Sequence, residues 1–482
     1  MHISRRYFLR NCGIVTLGLL ALRPLYSCRS RVECPGCEEL YARSFEFYRW
    51  RELIRDPNGI LDLPRNFSYR VISRTGETMS DGLLVPGGHD GMAAFPGYKG
   101  KTILVRNHEL RPDDANAGPF GEKNELFGKV DRSKLYDAGM GETPGLGGTT
   151  TLVYDTRLAR LEYHFLSLAG THRNCAGGPT PWNSWITCEE TVEKARGTLE
   201  RDHGYNFEVP VSPSMGLVDP VPLKAMGRFY HEAVAIDQRS GVVYETEDRE
   251  DGLLYRFVPD EPERLRAGGR LQALKIRDLD GADTRNWRIG NKISVGQSLE
   301  VEWVDIKGVE SPGDDLRWQG FTKGAAQFAH GEGMWCGRNE VYFTCTNGGE
   351  RKKGQIWRYV PSPIEAKPEE DKQPGRLELF VEPNDAGLLE NADTLTVSPW
   401  GDLILCEDGK NEQFVVGVTP EGDFYKLARN RLNDKEFAGA TFSPDGSTLF
   451  VNIQNPGLTL AITGPWPRQG GLDGLALHSQ GE

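Results

Sequence analysis

A repeat constrains this chain more than any other feature. "NADTLTVSPWGDLILCEDG" (391–409) and "EFAGATFSPDGSTLFVNIQNPG" (436–457) share one order of parts. An acid comes first, then an apolar run, a tight turn, a second apolar run and a polar tip. "HEAVAIDQRSGVVYETEDR" (231–249) and "GEGMWCGRNEVYFTCTNGG" (331–349) repeat that order, and "NCAGGPTPWNSWITCEE" (174–190) fits the same frame. A looser copy begins near "DGLLVPG" and reaches "KTILVRNHE", followed by "TTTLVYD" and "LEYHFLSL". Further apolar runs follow, as in "GLLYRFVP", "GQIWRYVP" and "FVVGVTP". A unit this short cannot bury its own apolar face, so neighbouring copies must cover one another. Six units of three or four antiparallel strands predict an all-β fold, a six-bladed β-propeller. A β-sandwich of repeated hairpins is the alternative. The 57 glycines and the Pro-Asp-Gly, Gly-Asp and Gly-Arg-Asn turns point the same way, and long helical periodicity is scarce. The propeller is expected over 70–465, with a charge-rich insertion near 261–325, a leader at 28–69 and a C-terminal tail at 466–482.

The repeat also allows acids to be compared within one chain. The step from the first-strand position to the second-strand tip runs from Glu232 to Glu247, Glu332 to Thr346, Asp393 to Glu407 and Cys175 to Glu189. In a propeller, first strands line the central channel, and their starts and the ends of the second strands share one mouth. Cys175, Glu232, Glu332, Asp393 and Glu436 are therefore expected to converge there. The tips Asn107, His108, Glu109, Glu189, Glu190, Glu247, Asp248, Glu407 and Asp408 are expected to ring it. Carboxylates crowded like this cannot all stay ionised without cations. Hard oxygen donors around one axis suit Ca2+, and a thiolate beside carboxylates suits a more Lewis-acidic transition metal. The reading is thus a propeller with a metal site at the mouth of its central channel. Candidate substrate-binding cations near strand ends are Arg106, Arg228, Arg249 and Arg351. The sequence reads Glu245 and Glu250 as solvated, His172 and His203 as surface residues, and Cys188, Cys345 and Cys406 as packing. Trp182 and Trp185 read as core.

The N-terminus speaks to location. "SRRYFLR" (4–10) followed by the apolar run 14–22 has the form of a twin-arginine export signal over residues 1–27. The run is too short to span a bilayer, which needs about 20 residues. "LYSC" (25–28) resembles a lipoprotein cleavage box except for bulky Tyr26, so both a lipidated and a free Cys28 stay open. The expectation is a periplasmic or extracellular protein whose only membrane contact is a lipid at that cysteine. Net charge is −12; the first 27 residues hold four arginines and no acid, so the remainder carries −16. That argues against nucleic acid as a partner. Cys34 and Cys37 form a CxxC without a following His, which excludes c-type haem and leaves a local disulfide as the simplest role.

These segments resemble the PhoX-type alkaline phosphatase family. The likeness is carried by "RNHEL", "NCAGGPTPWNSWITCEE", "GRFYHEAVAID", "TEDREDGLLYRF", "NADTL" and "EFAGATFSPDGSTLFVNIQNPG", and spans about residues 70–465. Asn455 stands where the family commonly has a histidine. The resemblance implies a six-bladed propeller with an Fe3+ and Ca2+ cluster at its axis, hydrolysing small-molecule phosphate monoesters. It implies that Cys175 and nearby carboxylates hold ferric iron, that calcium is shared among other carboxylates, and that a metal-held oxo or hydroxo group is the nucleophile. Two other functions fit a propeller of this kind: a calcium-dependent hydrolase (a lactonase or phosphodiesterase), and a non-enzymatic binding propeller.

Overall fold

The computed structural model describes residues 52–114, 117–288 and 292–467. The signal segment, Cys28, Cys34, Cys37 and nearly all of the 466–482 tail lie outside them. Among the described residues no helix is long and apolar enough to cross a membrane.

Strand formation follows from alternation that is apolar on both faces. In His231–Ile236 and Val243–Glu247, Val234, Ile236 and Val243 turn to one side, where they pack with Ile186 and Cys188. Ala233, Ala235 and Tyr244 turn to the other side, against Met334 and Phe343. Each sheet is therefore sandwiched between its neighbours, and the core lies between sheets.

Among the described residues the strands form five hydrogen-bonded sheets in a β-propeller-like arrangement. One contains His89–Pro96, Thr102–His108, Gly147–Asp155 and Arg160–Thr171; a second contains Asn174–Pro179, Ser184–Glu189 and Asn206–Pro210. The third has ten strands, where the repeat leads one to expect two sheets. Its two halves begin at His231–Ile236 and Gly331–Cys336 and meet where Ser298–Asp305 pairs with Arg376–Val381. The expected insertion explains the fusion: residues 261–325 supply the outer strands Gly269–Ile276 and Ser298–Asp305 and a short helix, Leu316–Thr322. The fourth sheet starts at Ala392–Val397 and ends on Leu61–Pro64 and Leu53–Ile54, so sheet structure begins upstream of residue 70. The fifth joins Phe437–Phe442, Thr448–Ile453 and Leu458–Thr463 to Ser68–Arg74.

The first strands pack in a closed ring. Phe437–Phe442 lies beside His89–Pro96, then come Asn174–Pro179, His231–Ile236, Gly331–Cys336 and Ala392–Val397, which returns to Phe437–Phe442. Glycine permits this approach. A Cβ on Gly178 would sit 2.0 Å from the Val234 carbonyl oxygen of the next first strand, and one on Gly177 would sit 1.9 Å from the Ile186 oxygen.

Candidate metal centre

Five of the six first strands break register with their second strands at the same place. The shifts fall between His89 and Met92, Asn174 and Gly177, His231 and Val234, Gly331 and Met334, and Ala392 and Leu395. A bulge inserts an extra residue and re-aims the side chain beside it. The residues so placed are Asp90, Cys175, Glu232, Glu332 and Asp393. In the last pair the ladder holds one residue longer, to Ala438, and the acid Glu436 comes from two residues upstream.

Side chains on the second strand of a neighbouring unit hold four of these five bulges. Asn107 Nδ2 donates to the Cys175 and Ala176 carbonyls at 3.0 and 2.7 Å. The hydroxyls of Thr246 and Thr344 donate to the Glu332 and Asp393 carbonyls, each at 2.6 Å, and Asn452 Nδ2 donates to the Asp90 carbonyl at 2.6 Å. Asn107 Oδ1 is also occupied, accepting from Trp185 Nε1 and Thr187 Oγ1. Asn107 was expected as a metal ligand; the structure uses it to fix the backbone at Cys175.

Adjacent residues on a strand face opposite ways, and this divides the expected tips into two sets. Glu189, Glu247 and Glu407 pair across from the residues before the bulge and turn into their own sheets. Glu189 accepts from the backbone N–H of His172, Gly204 and Tyr205 and from His203 Nδ1 at 2.6 Å. Glu247 accepts from Leu253 N and the Tyr255 hydroxyl, and burial holds its carboxyl up to about 7. Glu407 accepts from Glu390 N, Phe414 N and Lys426 Nζ. His108 is buried, hydrogen-bonded to the Gly87 carbonyl and Thr150. Glu109, Glu190, Asp248 and Asp408, one residue further on, belong to the axial set instead.

The axial set is one electrostatic cluster. Burial first, then neighbouring carboxylates, pushes Asp90, Glu190, Glu232, Glu332, Asp393 and Glu436 well above the usual carboxylate range. Burial and the same acids push the Cys175 thiol up. Asp248 differs: burial opposes its charge, but hydrogen bonds with His330 and Glu190 outweigh that and pull it down. The Cys175 thiol donates to Glu232 Oε2 at 2.5 Å. Three groups of ligand atoms lie mutually within 4.8 Å: Cys175, Glu190 and Glu232; Glu232, Glu332 and Asp393; and Asp248, His330 and Glu332. Asp393 Oδ1 is buried without a hydrogen-bond partner. Carboxylates unable to ionise together, one orphaned oxygen and a shared thiol–oxygen donor set fit cations.

Below the cluster the axis narrows to a void of about 20 Å3, lined by residues that include Gly91, Ala176, Gly177, Gly333 and Gly439.

The expected basic residues are placed differently. Arg106 is fully buried on His89, Thr150 and Thr459, and burial pulls it down to about 9. Arg228 donates to the carbonyls of Val192, Glu193, His203 and Ser311. Arg249 stacks 3.7 Å over Tyr230 and pairs with Asp314, and Arg351 is exposed. The guanidinium that meets the cluster is Arg173, bonded to Glu109 at 2.7 Å and to Glu190. It sits in a connector outside the repeat. Asp90 was also missed, because the looser first copy concealed its frame. His172 and His203, read as surface residues, are fully buried and stacked at 3.7 Å, and Glu245 is buried against Asn206 and His231.

The family model described as Alkaline phosphatase PhoX matches residues 48–156 and 155–457. No curated protein matched. Among solved structures, PhoX of Pseudomonas fluorescens in complex with vanadate, a transition state analogue, is 16% identical, with TM-score 0.62 over 86% of this chain and 98% of that one. Virginiamycin B lyase of Staphylococcus aureus is 10% identical, with TM-score 0.35 over 82% and 99%. A gluconolactonase of Xanthomonas campestris is 11% identical, with TM-score 0.36 over 91% and 100%. The family match spans both ends of the strand ring and every bulged residue in it, and this chain belongs to the PhoX alkaline phosphatase family.

Proposed function

We propose that this chain is an exported, cation-dependent phosphatase that hydrolyses small-molecule phosphate monoesters. The observation that carries the reading is the axial cluster: a thiol and a ring of carboxylates, re-aimed by equivalent bulges, in a chain of this family. The Cys175–Glu190–Glu232 group suits Fe3+, a soft-hard donor mix that calcium does not need, and the oxygen-only Glu232–Glu332–Asp393 group suits Ca2+. Bound there, the cations would supply positive charge and Lewis acidity toward a phosphate oxygen. The chain's own residues do the rest. Asn107, Thr246, Thr344 and Asn452 fix the ligand-bearing backbone, and Arg173, held between Glu109 and Glu190, presents a guanidinium to an arriving dianion. His330, bonded to Asp248 at 2.6 Å, stands at the same mouth.

Six blades are the architecture that best accounts for the ring of first strands, the ten-stranded sheet being two blades fused at Ser298–Asp305. Export is proposed on the twin-arginine motif of residues 1–27, with lipidation of Cys28 left to mass spectrometry. The test is elemental analysis of the natively exported protein beside a p-nitrophenyl phosphate assay. Iron and calcium together, with turnover abolished by chelation, support the reading. Calcium without iron, or bound cations without turnover, sinks it.

A further inference from the structure

Just outside the cluster an indole carries two cations. Trp287 has the Arg285 guanidinium 4.5 Å and the Lys352 ammonium 3.8 Å from its ring centroid. The ring is fixed by a 2.7 Å bond from Nε1 to the Asn347 carbonyl. Of the neighbouring cations, Arg285 pairs with Asp283, Lys353 with Glu390 and Lys292 with Glu350, and Arg288 and Arg351 have no ring beneath them among the described residues. Lys352 is exposed, and among the described residues its ammonium has the indole and no carboxylate at ion-pair distance.

The backbone presents this lysine deliberately. Lys352 has φ of 53°, a conformation unfavourable for a residue with a Cβ. It is held there by Lys352 N donating to the Gly349 carbonyl at 3.0 Å and by Asn391 Nδ2 donating to the Lys352 carbonyl at 3.2 Å. The same Asn391 amide donates to the Thr346 carbonyl, and the Thr346 hydroxyl donates to Glu332 Oε1 at 2.7 Å. Lys352 is thus tied through Asn391 and Thr346 to Glu332 of the axial cluster.

We propose that Lys352, poised over Trp287, determines specificity by receiving an anionic group on the leaving portion of the substrate, a carboxylate or second phosphate beyond the scissile ester. The proposal rests on the phosphatase reading. An acidic protein otherwise repels substrates with extra negative charge, and an ammonium free of any carboxylate offsets that repulsion locally. The indole gives the ammonium a preferred seat, so less side-chain freedom is lost on contact.

The test compares 3-phosphoglycerate with glycerol 3-phosphate, which differ by a carboxylate in place of a hydroxymethyl group, on the cation-loaded full chain. Lys352→Met is expected to lower kcat/KM for 3-phosphoglycerate about fivefold, the size of an exposed ion pair, and to leave glycerol 3-phosphate and p-nitrophenyl phosphate unchanged. Lys352→Arg should retain the selectivity, and raising salt should erode it in the parent but not in Lys352→Met. A parent active on all three esters whose selectivity Lys352→Met does not move overturns the subsite alone, as does an equal loss on both matched esters. A parent inactive on all three overturns the phosphatase reading and the subsite with it.

Discussion

Glu189 and Glu190 are neighbours in sequence with opposite surroundings, so neutralising each in turn should have effects of opposite sign. In Glu189→Gln, one oxygen becomes an amide nitrogen and sets a donor against donors, since both Glu189 oxygens accept, from His172 N, His203 Nδ1, Gly204 N and Tyr205 N. Bonds to a charged acceptor are worth about 1.5–3 kcal/mol each, and breaking one partner of a buried pair costs about 3–5 kcal/mol. Glu189→Gln should therefore lose about 3–5 kcal/mol of stability. Burial opposes the charge on His203, but Glu189 and Asp137 outweigh it and hold the imidazole at about 9. Stability from its protonation is fully present below about 6.5 and is lost as pH rises through about 9. The deficit of Glu189→Gln should accordingly narrow between those pH values. Glu190 is held well above its usual range by burial and by Asp248 and Glu109. Its ionisation works against the cation-free fold at all pH above about 4.5, so Glu190→Gln should stabilise chelated protein there while binding fewer cations. Urea unfolding of chelated protein at pH 6 and pH 9, with elemental analysis of loaded protein, reads both effects. Parent-like stability in Glu189→Gln together with lost cations would refute the division of this pair.

Gly178→Ala places a Cβ 2.0 Å from the Val234 oxygen, between two first strands that have no room to part; thermal melting should show a loss of at least about 3 kcal/mol, or no folded protein. Glu247 titrates near 7, pushed up by burial against the pull of Arg317. Its ionisation costs about 3 kcal/mol once pH exceeds both that value and its usual one, and nothing below about pH 4. Glu247→Gln should keep the bonds from Leu253 N and Tyr255, and its urea midpoint should rise relative to the parent from pH 5 to pH 8 but not at pH 4.

The repeat was legible because apolar strands and glycine turns must recur for sheets to cover one another, and its acids fall at one mouth for the same reason. What it concealed was direction. Counting from Cys175 to Glu189 finds the right tip but the wrong member of the pair, because the bulge after Asn174 inserts a residue that no pattern of apolar and polar letters displays. Asn107 reads like a ligand for the same reason, since an amide at a strand end looks alike whether it faces a cation or a neighbouring carbonyl. Arg173 lies in a two-residue connector with no repeat to compare it with. The burial of His172 and His203 comes from the 190–205 segment laying His203 and Glu193 against His172, a contact between polar residues that carries no periodicity.

The fifth sheet has a consequence for how the protein is made. Ser68–Arg74 is its outer strand, and Leu458–Thr463, against which it pairs, is encoded almost 400 codons later. A chain still on the ribosome short of that point has an unshut ring, with Asp90 and Glu436 on opposite sides of the gap. A chain ending short of Glu436 therefore lacks part of the acid set, and the ring that gathers these acids shuts only when the last strands of the fifth sheet are in place.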